Sequence, residues 1–359
     1  HFRALEPRQD WQHRFNESGT RASATLRLVI RPTVDLQIVS ALWIIFVGHL
    51  FDASLDRKTS FGNRLRRSYS GLSDERINGP GVNLSTPGLF APYFSAYRDW
   101  REGGLSSMDR ALDADKSILA ITMDIEKFYH RASPAFLLRP AFLESVQLKL
   151  SPVEQQFTKL LLAAMNTWYR STPDFKLRPT GAIPVGLSAS KIIANVLLAE
   201  FDRAVVTKLE PIYYGRYVDD IFLVLNAVGE DYGAQRVTAR IAEALAPLVA
   251  VKENSGGPNS LTLHLPYAKD SELVFAGPKQ KIFALSSAHG SDLVHHIRDQ
   301  IRQQSSEYRL LPAVPETGIA MASRALLAAP NAALQADALR KADVVSVRRL
   351  GFSLLLSDI

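Results

Sequence analysis

Cysteine is absent from all 359 residues. That excludes disulfide scaffolds, thiolate zinc sites and cysteine nucleophiles, and it suits a reducing, cytoplasmic setting. Long apolar runs are scarce as well. The longest, LQIVSALWIIFVGHLF at residues 36–51, falls short of the roughly 20 residues that a membrane span needs, and it contains Gln37 and His49. A buried helix with no membrane role is expected there. The opening stretch, HFRALEPRQDWQHRF, lacks the apolar core of a signal peptide. Internal repeats and low-complexity tracts are missing, and the eight histidines show no metal-ligand spacing. With 47% hydrophobic and 22% charged residues, global disorder is excluded.

What is present is a basic chain of domain size. Its net charge is +6 and its pI is about 9.4, which favours a polyanionic partner. The length accommodates one large domain or two smaller ones. The chain starts at His1 and ends in RRLGFSLLLSDI, an apolar segment without a polar tail, so a natural chain that continues past Ile359 is expected.

The patterning alternates between strand and helix. Residues 25–31 alternate like a strand, and residues 32–56 read as helical. Residues 57–104, rich in Gly, Pro, Asn, Ser and Arg, read as loops with short elements. SILAITMDI at 117–125 has the pattern of a buried strand. Residues 151–170 form a helix opened by Ser151-Pro152, and 188–206 form another. IYYGRYVDDIFLVLN at 212–226 is two strands meeting at Asp219-Asp220. Residues 235–248 are helical, 273–285 read as a hairpin around Gly277-Pro278, and helices follow from residue 291.

Three carboxylates stand where a core does not tolerate them. Asp124 closes the apolar run ILAITM, and Asp219-Asp220 separates YYGRYV from IFLVL. Carboxylates against apolar strands cost several kcal/mol unless a cation or hydrogen-bond donors compensate. A strand–turn–strand lifts the pair to the end of a sheet, where Asp124 from a neighbouring strand can join it. Such a cluster suits Mg²⁺, a hard ion that also coordinates phosphates. Tyr-x-Asp-Asp by itself is weak, since roughly one chain in thirty of this length carries it by chance. A simple hairpin turn at Asp219-Asp220, and a helix cap at Asp124, are the plainer alternatives.

The order of four segments strengthens the metal reading: TMDIEKFYH, then PTGAIPVGLSASKIIANVLLAEFD, then RYVDDIFLV, then FAGPKQKIF. In that order they resemble palm motifs A, B, C and D of the reverse transcriptases. FGNRLRRS at residues 61–68 resembles the family's Arg-bearing fingers motif, so the likeness covers roughly residues 61–285. The resemblance implies an α/β right-hand polymerase, with fingers and palm in residues 1–285 and a helical thumb or C-terminal region in 286–359. It implies an RNA-directed DNA polymerase that adds nucleotides by two-metal transfer, with Mg²⁺ (or Mn²⁺) held by Asp124, Asp219, Asp220 and the carbonyl of Ile125. By the same likeness, Tyr129 is the steric gate against a ribose 2′-OH and Arg64 contacts the triphosphate. Gly186 lets the backbone approach the nascent base pair, and Lys279 is the motif D lysine, with Lys281 as the alternative. Expected partners are an RNA template, a DNA product and dNTPs, with room for a non-coding RNA, a second defence protein or an oligomer.

Motif B departs from the common pattern. Val185 stands where Gln is usual, and Lys191 replaces a Pro. These departures resemble the abortive-infection and defence-associated bacterial enzymes, and so imply a role in antiphage defence. A retron or group II-like enzyme, or a catalytically silent RNA-binding scaffold of the same fold, stays open as an alternative. The aromatic run at residues 78–103 reads as a packed loop or as a base-stacking surface.

Overall fold

The computed structural model describes residues 2–4, 26–86, 88–228, 233–253, 259–277, 280–287 and 294. The chain divides into two compact units, one of His1–Arg3 with Leu26–Gly290 and one of Ala4–Thr25 with Ser291–Ile359. The expected helices after residue 291 and the apolar end lie outside the described residues.

Strands β1 (Phe2–Ala4) and β2 (Leu26–Leu28) precede a helix that runs from α1 (Val34–Trp43) through a π-helical turn (Ile44–Gly48) into α2 (His49–Ala53). The short strands β3 (Arg67–Ser68) and β4 (Gly81–Val82) lead into the long helix α3 (Tyr93–Asp113). Strand β5 (Ile118–Asp124), helix α4 (Phe128–Arg131) and a 3₁₀ turn (Pro134–Leu138) come next. They are followed by α5 (Pro140–Ser145), α6 (Pro152–Arg170) and α7 (Asp174–Leu177). Helices α8 (Ser188–Val196) and α9 (Ala199–Leu209) precede strands β6 (Tyr213–Tyr217) and β7 (Asp220–Asn226). The last described elements are α10 (Ala234–Leu245), β8 (Val249–Lys252), β9 (Ser260–Leu263), β10 (Leu273–Phe275) and β11 (Lys281–Leu285). The fold is mixed helix and sheet, as the patterning implied.

The central sheet has strand order β11-β5-β7-β6 and is antiparallel throughout. Its register pairs Asp124 with Asp220, Thr122 with both Phe222 and Lys281, and Tyr217 with Asp220, so these residues share one face. Helix α3 lies across that face. Its Gly104 is needed there, because a Cβ would sit 2.1 Å from Cε1 of Phe222. Helix α9 covers the opposite face, where Phe201 meets Tyr214.

Between sheet and α9 lies a fully buried polar hub. Arg216, with no exposed surface, donates from Nε and Nη2 to the Asp202 carboxylate at 2.7 and 2.6 Å. It also donates from Nη1 to Asn195 Oδ1 and to the carbonyl of Val218, at 2.8 and 2.7 Å. Asn195 in turn donates from Nδ2 to the carbonyl of Gly62 at 2.9 Å. Each buried charge is thereby paired and hydrogen-bonded, as burial demands.

Several expectations are corrected here. The loop expected over 57–104 ends at Tyr93, where α3 begins. Gly103 and Gly104 fall inside this helix, where the neighbouring sheet side chains Tyr213 and Phe222 leave no room for a Cβ. The helix expected over 188–206 breaks at residues 197–198. The hairpin expected over 273–285 does not form, because β10 pairs with β9 whereas β11 pairs with β5. The helix expected over 32–56 spans Val34–Ala53, which by length and composition alone is long and apolar enough to cross a membrane. Its Trp43, Val47, Leu50 and Phe51 are fully buried, while Val34, Ile38, Leu42 and Phe46 are exposed. The capping box of α6, Ser151 with Glu154, matches the expected start.

Replacing Arg216 by Met should lower stability by about 3–5 kcal/mol, because the Asp202 charge would be left buried and unpaired. Urea unfolding checks this; a loss under about 1 kcal/mol would show that the hub is not structural.

Candidate active site

The sheet register brings the carboxylates together. Asp124 ends β5 directly opposite Asp220, the first residue of β7, and Asp219 sits in the turn between β6 and β7. That turn is strained. Val218 has φ +62°, a left-handed conformation that costs a β-branched residue about 1–3 kcal/mol. The Arg216 guanidinium holds the Val218 carbonyl from below and offsets the strain.

All three carboxylates line one cavity of about 670 Å³. Its walls also carry Ile125, Tyr129, Val185 and Lys281, and three residues that the sequence did not single out: Arg27, Lys127 and His130. Trp100 and Tyr97 of α3 complete it. Arg27 lies on β2, far away in sequence, and no motif marks it. Lys127 and His130 flank the Phe128-Tyr129 pair and had no distinguishing pattern.

The carboxylates repel one another. Burial, then the nearby charges of Asp220 and Asp124, push the Asp219 pKa up to about 7. The cluster therefore favours a cation, and its donors are the hard oxygens that Mg²⁺ prefers. Among the described residues no three His, Cys, Asp or Glu side chains form a group ready to hold a metal. Asp124, Asp219 and Asp220 would be the ligands of an ion entering this cavity. Ile125 suits a further role. Its bridge to Phe275 uses the carbonyl of Asp124, 3.3 Å from the Ala276 N–H, and the N–H of Glu126, so the Ile125 carbonyl is not spent on β10.

Tyr129 lies on α4, and its carbonyl accepts from the Ile183 N–H at 2.9 Å. Arg178 fixes this helix by donating to the carbonyls of His130 and Arg131. Burial and the nearby Asp219 charge raise the Tyr129 pKa, so the hydroxyl stays protonated. Phe128 beside it is buried in the core.

Gly186 has φ +106°, and a Cβ there would meet the Ile30 carbonyl at 3.0 Å. Its conformation thus serves the approach of residues 30 and 185, whose backbones hydrogen-bond at 2.9 Å, and it is the neighbouring Val185 that lines the cavity. Lys279 lies outside the described residues; Lys281, at the start of β11, is on the cavity wall.

Arg64 does not reach the cavity. It is buried, and all five of its N–H donors are engaged by Asp52 and by the carbonyls of residues 52, 55, 56 and 60. Arg67 also pairs with Asp52, at 3.1 Å, and Arg66 donates to the Phe90 carbonyl at 2.9 Å. The arginines of residues 61–68 brace the loop instead of offering a free basic surface. Their clustering in the sequence was visible, but the acidic partner at Asp52, inside an apolar helix, was not read.

No protein-family model and no curated protein sequence matches the chain.

The raised Asp219 pKa makes a stability prediction. Its native value stands above that of an unfolded carboxylate, so the destabilisation is absent below about pH 4 and complete above about pH 7. In EDTA at about pH 8, D219N should melt at a higher temperature than the parent, and the gain should vanish as pH falls through 7 toward 4. Mg²⁺ should raise the melting temperature of the parent and not of D219N. Equal melting curves at all pH values would show that the carboxylates do not repel.

Proposed function

We propose that this chain is a reverse transcriptase, an RNA-directed DNA polymerase with a right-hand fold that transfers nucleotides from dNTPs to a 3′-hydroxyl or a protein hydroxyl. The observation that carries the reading is the register pairing Asp124 with Asp220, with Asp219 in the strained turn above them, inside one cavity. A chance Tyr-x-Asp-Asp string does not require a third carboxylate on the adjacent strand.

In the proposed reaction the hydroxyl oxygen forms a bond to the α-phosphorus of the dNTP, the bond to pyrophosphate breaks and pyrophosphate leaves, and the hydroxyl proton passes to solvent water. Bound Mg²⁺ ions would supply Lewis-acid activation and charge neutralisation. Asp124, Asp219 and Asp220 would hold them. Lys281 and Arg27, which line the cavity, would neutralise phosphate oxygens and the departing pyrophosphate. The Tyr129 ring, held by α4, would lie against the sugar and exclude a 2′-OH. Val185, an apolar contact in place of an amide, and Lys191 support the defence-associated branch of the family.

The test is incorporation of labelled dNTPs by the purified chain in Mg²⁺. D219N should lose at least about a hundredfold in rate while keeping its cooperative unfolding. Near-parental incorporation by D219N would sink the assignment. Tyr129→Val should reduce discrimination against rNTPs by at least about tenfold; unchanged discrimination would return Tyr129 to a packing role.

A further inference from the structure

Residues 59–63 run along the outer edge of β6 and end beside the carboxylate turn. The Arg216 N–H donates to the Thr59 carbonyl at 2.7 Å, and the Phe61 N–H donates to the Arg216 carbonyl at 2.9 Å. Gly62 follows, its carbonyl held by Asn195. A Cβ at Gly62 would sit 2.8 Å from Cγ2 of Val218 and 3.0 Å from the Val218 backbone nitrogen. The missing side chain therefore lets this loop press on the residue that precedes Asp219.

Asn63 comes next, with φ +53°. Asparagine enters that left-handed region more readily than most residues, but still at some cost. From there its side chain reaches the site, where Nδ2 donates to the Tyr129 hydroxyl at 3.5 Å. The contact is long, yet among the described residues the Tyr129 hydroxyl has no other hydrogen-bond partner. A phenol set into a protein wall needs such a partner. The rest of Tyr129 is held elsewhere, its carbonyl by Ile183 and its ring edge-on to Phe128 at 5.8 Å. Asn63 thus fixes the tip of the ring, and it does so from a loop that is itself seated on the Asp219 turn. Nothing in the transfer chemistry calls for this amide.

We propose that Asn63 is a positioning residue for sugar selection, whose amide sets the Tyr129 ring relative to the Asp219 turn so that a 2′-OH is excluded. Telling deoxyribose from ribose depends on the place of a single oxygen atom. A ring free to swing by about 1 Å loses that distinction, as small misplacements at reacting centres do. The inference deepens the nucleotidyl-transfer reading and rests on it for the identity of the sugar.

The test uses the purified full chain in Mg²⁺ on an oligo(dT)-primed poly(rA) template. The nucleotides are dTTP and ribothymidine triphosphate, which differ only at the 2′ position. N63G removes the amide while accepting the left-handed backbone, and Y129F removes the hydroxyl while keeping the ring. Each should lower the preference for dTTP by about fivefold, the scale of one hydrogen bond. The double variant should lose no more than either alone, because the two groups act as one unit. Three results overturn the role: an unchanged preference in N63G, additive losses in the double variant, or an N63G loss that falls equally on both nucleotides. Where N63G does not unfold cooperatively, Y129F decides, since its hydroxyl is the group that Asn63 holds. A fivefold loss there supports the role and an unchanged preference overturns it. An active parent with an unchanged N63G removes the positioning role and keeps the polymerase; a parent that incorporates neither nucleotide removes both.

Discussion

The ion pair between Arg216 and Asp202 is the constraint on which the rest of the site depends. One guanidinium, fully buried, ties strand β6 to helix α9, reaches Asn195 on α8 and holds the carbonyl of Val218. Through Asn195 it also fixes Gly62, at the entry to the arginine-bearing loop. Four separate segments thus meet at one side chain. A buried pair of this kind is weak as a source of net stability but strong as a source of definition, because few other arrangements satisfy both charges. The definition is used directly above it, where a β-branched residue is held in a conformation it does not favour.

Two arginine-centred hubs divide the labour. Arg216 supports the turn that presents Asp219. Arg64 and Arg67, gathered on the buried Asp52, brace the loop that follows α2. Neither hub touches the cavity. The cations that do, Arg27, Lys127 and Lys281, come from β2, the β5–α4 connection and the start of β11. The cations that brace the fold and the cations that line the cavity are therefore different residues.

Much of this was legible in the sequence. The strand ending at Asp124, the two strands meeting at Asp219-Asp220 and the helix opened by Ser151-Pro152 follow from local pattern, since each is decided by neighbours in the chain. The three carboxylates were found the same way, whereas Tyr129 was singled out only by the family resemblance. What escaped was decided at long range. Gly103-Gly104 signals a loop locally, yet the Phe222 ring requires both the helix and the absent Cβ. Arg64 belongs to a basic cluster in sequence, yet Asp52, inside an apolar helix, claims it. The pairing of β11 with β5 instead of β10 depends on which sheet edges are open, which no local signal records.

The close seating of α3 has a directional consequence. By lying on β6 and β7 it shuts that half of the sheet's carboxylate-bearing face. The opposite margin is bordered by β11, where Lys281 stands at the rim and Phe283 is 40% exposed. The fold is therefore one-sided about its own carboxylates: the face is covered where α3 lies on β6 and β7, and the missing side chain at Gly104 is what lets the helix seat there.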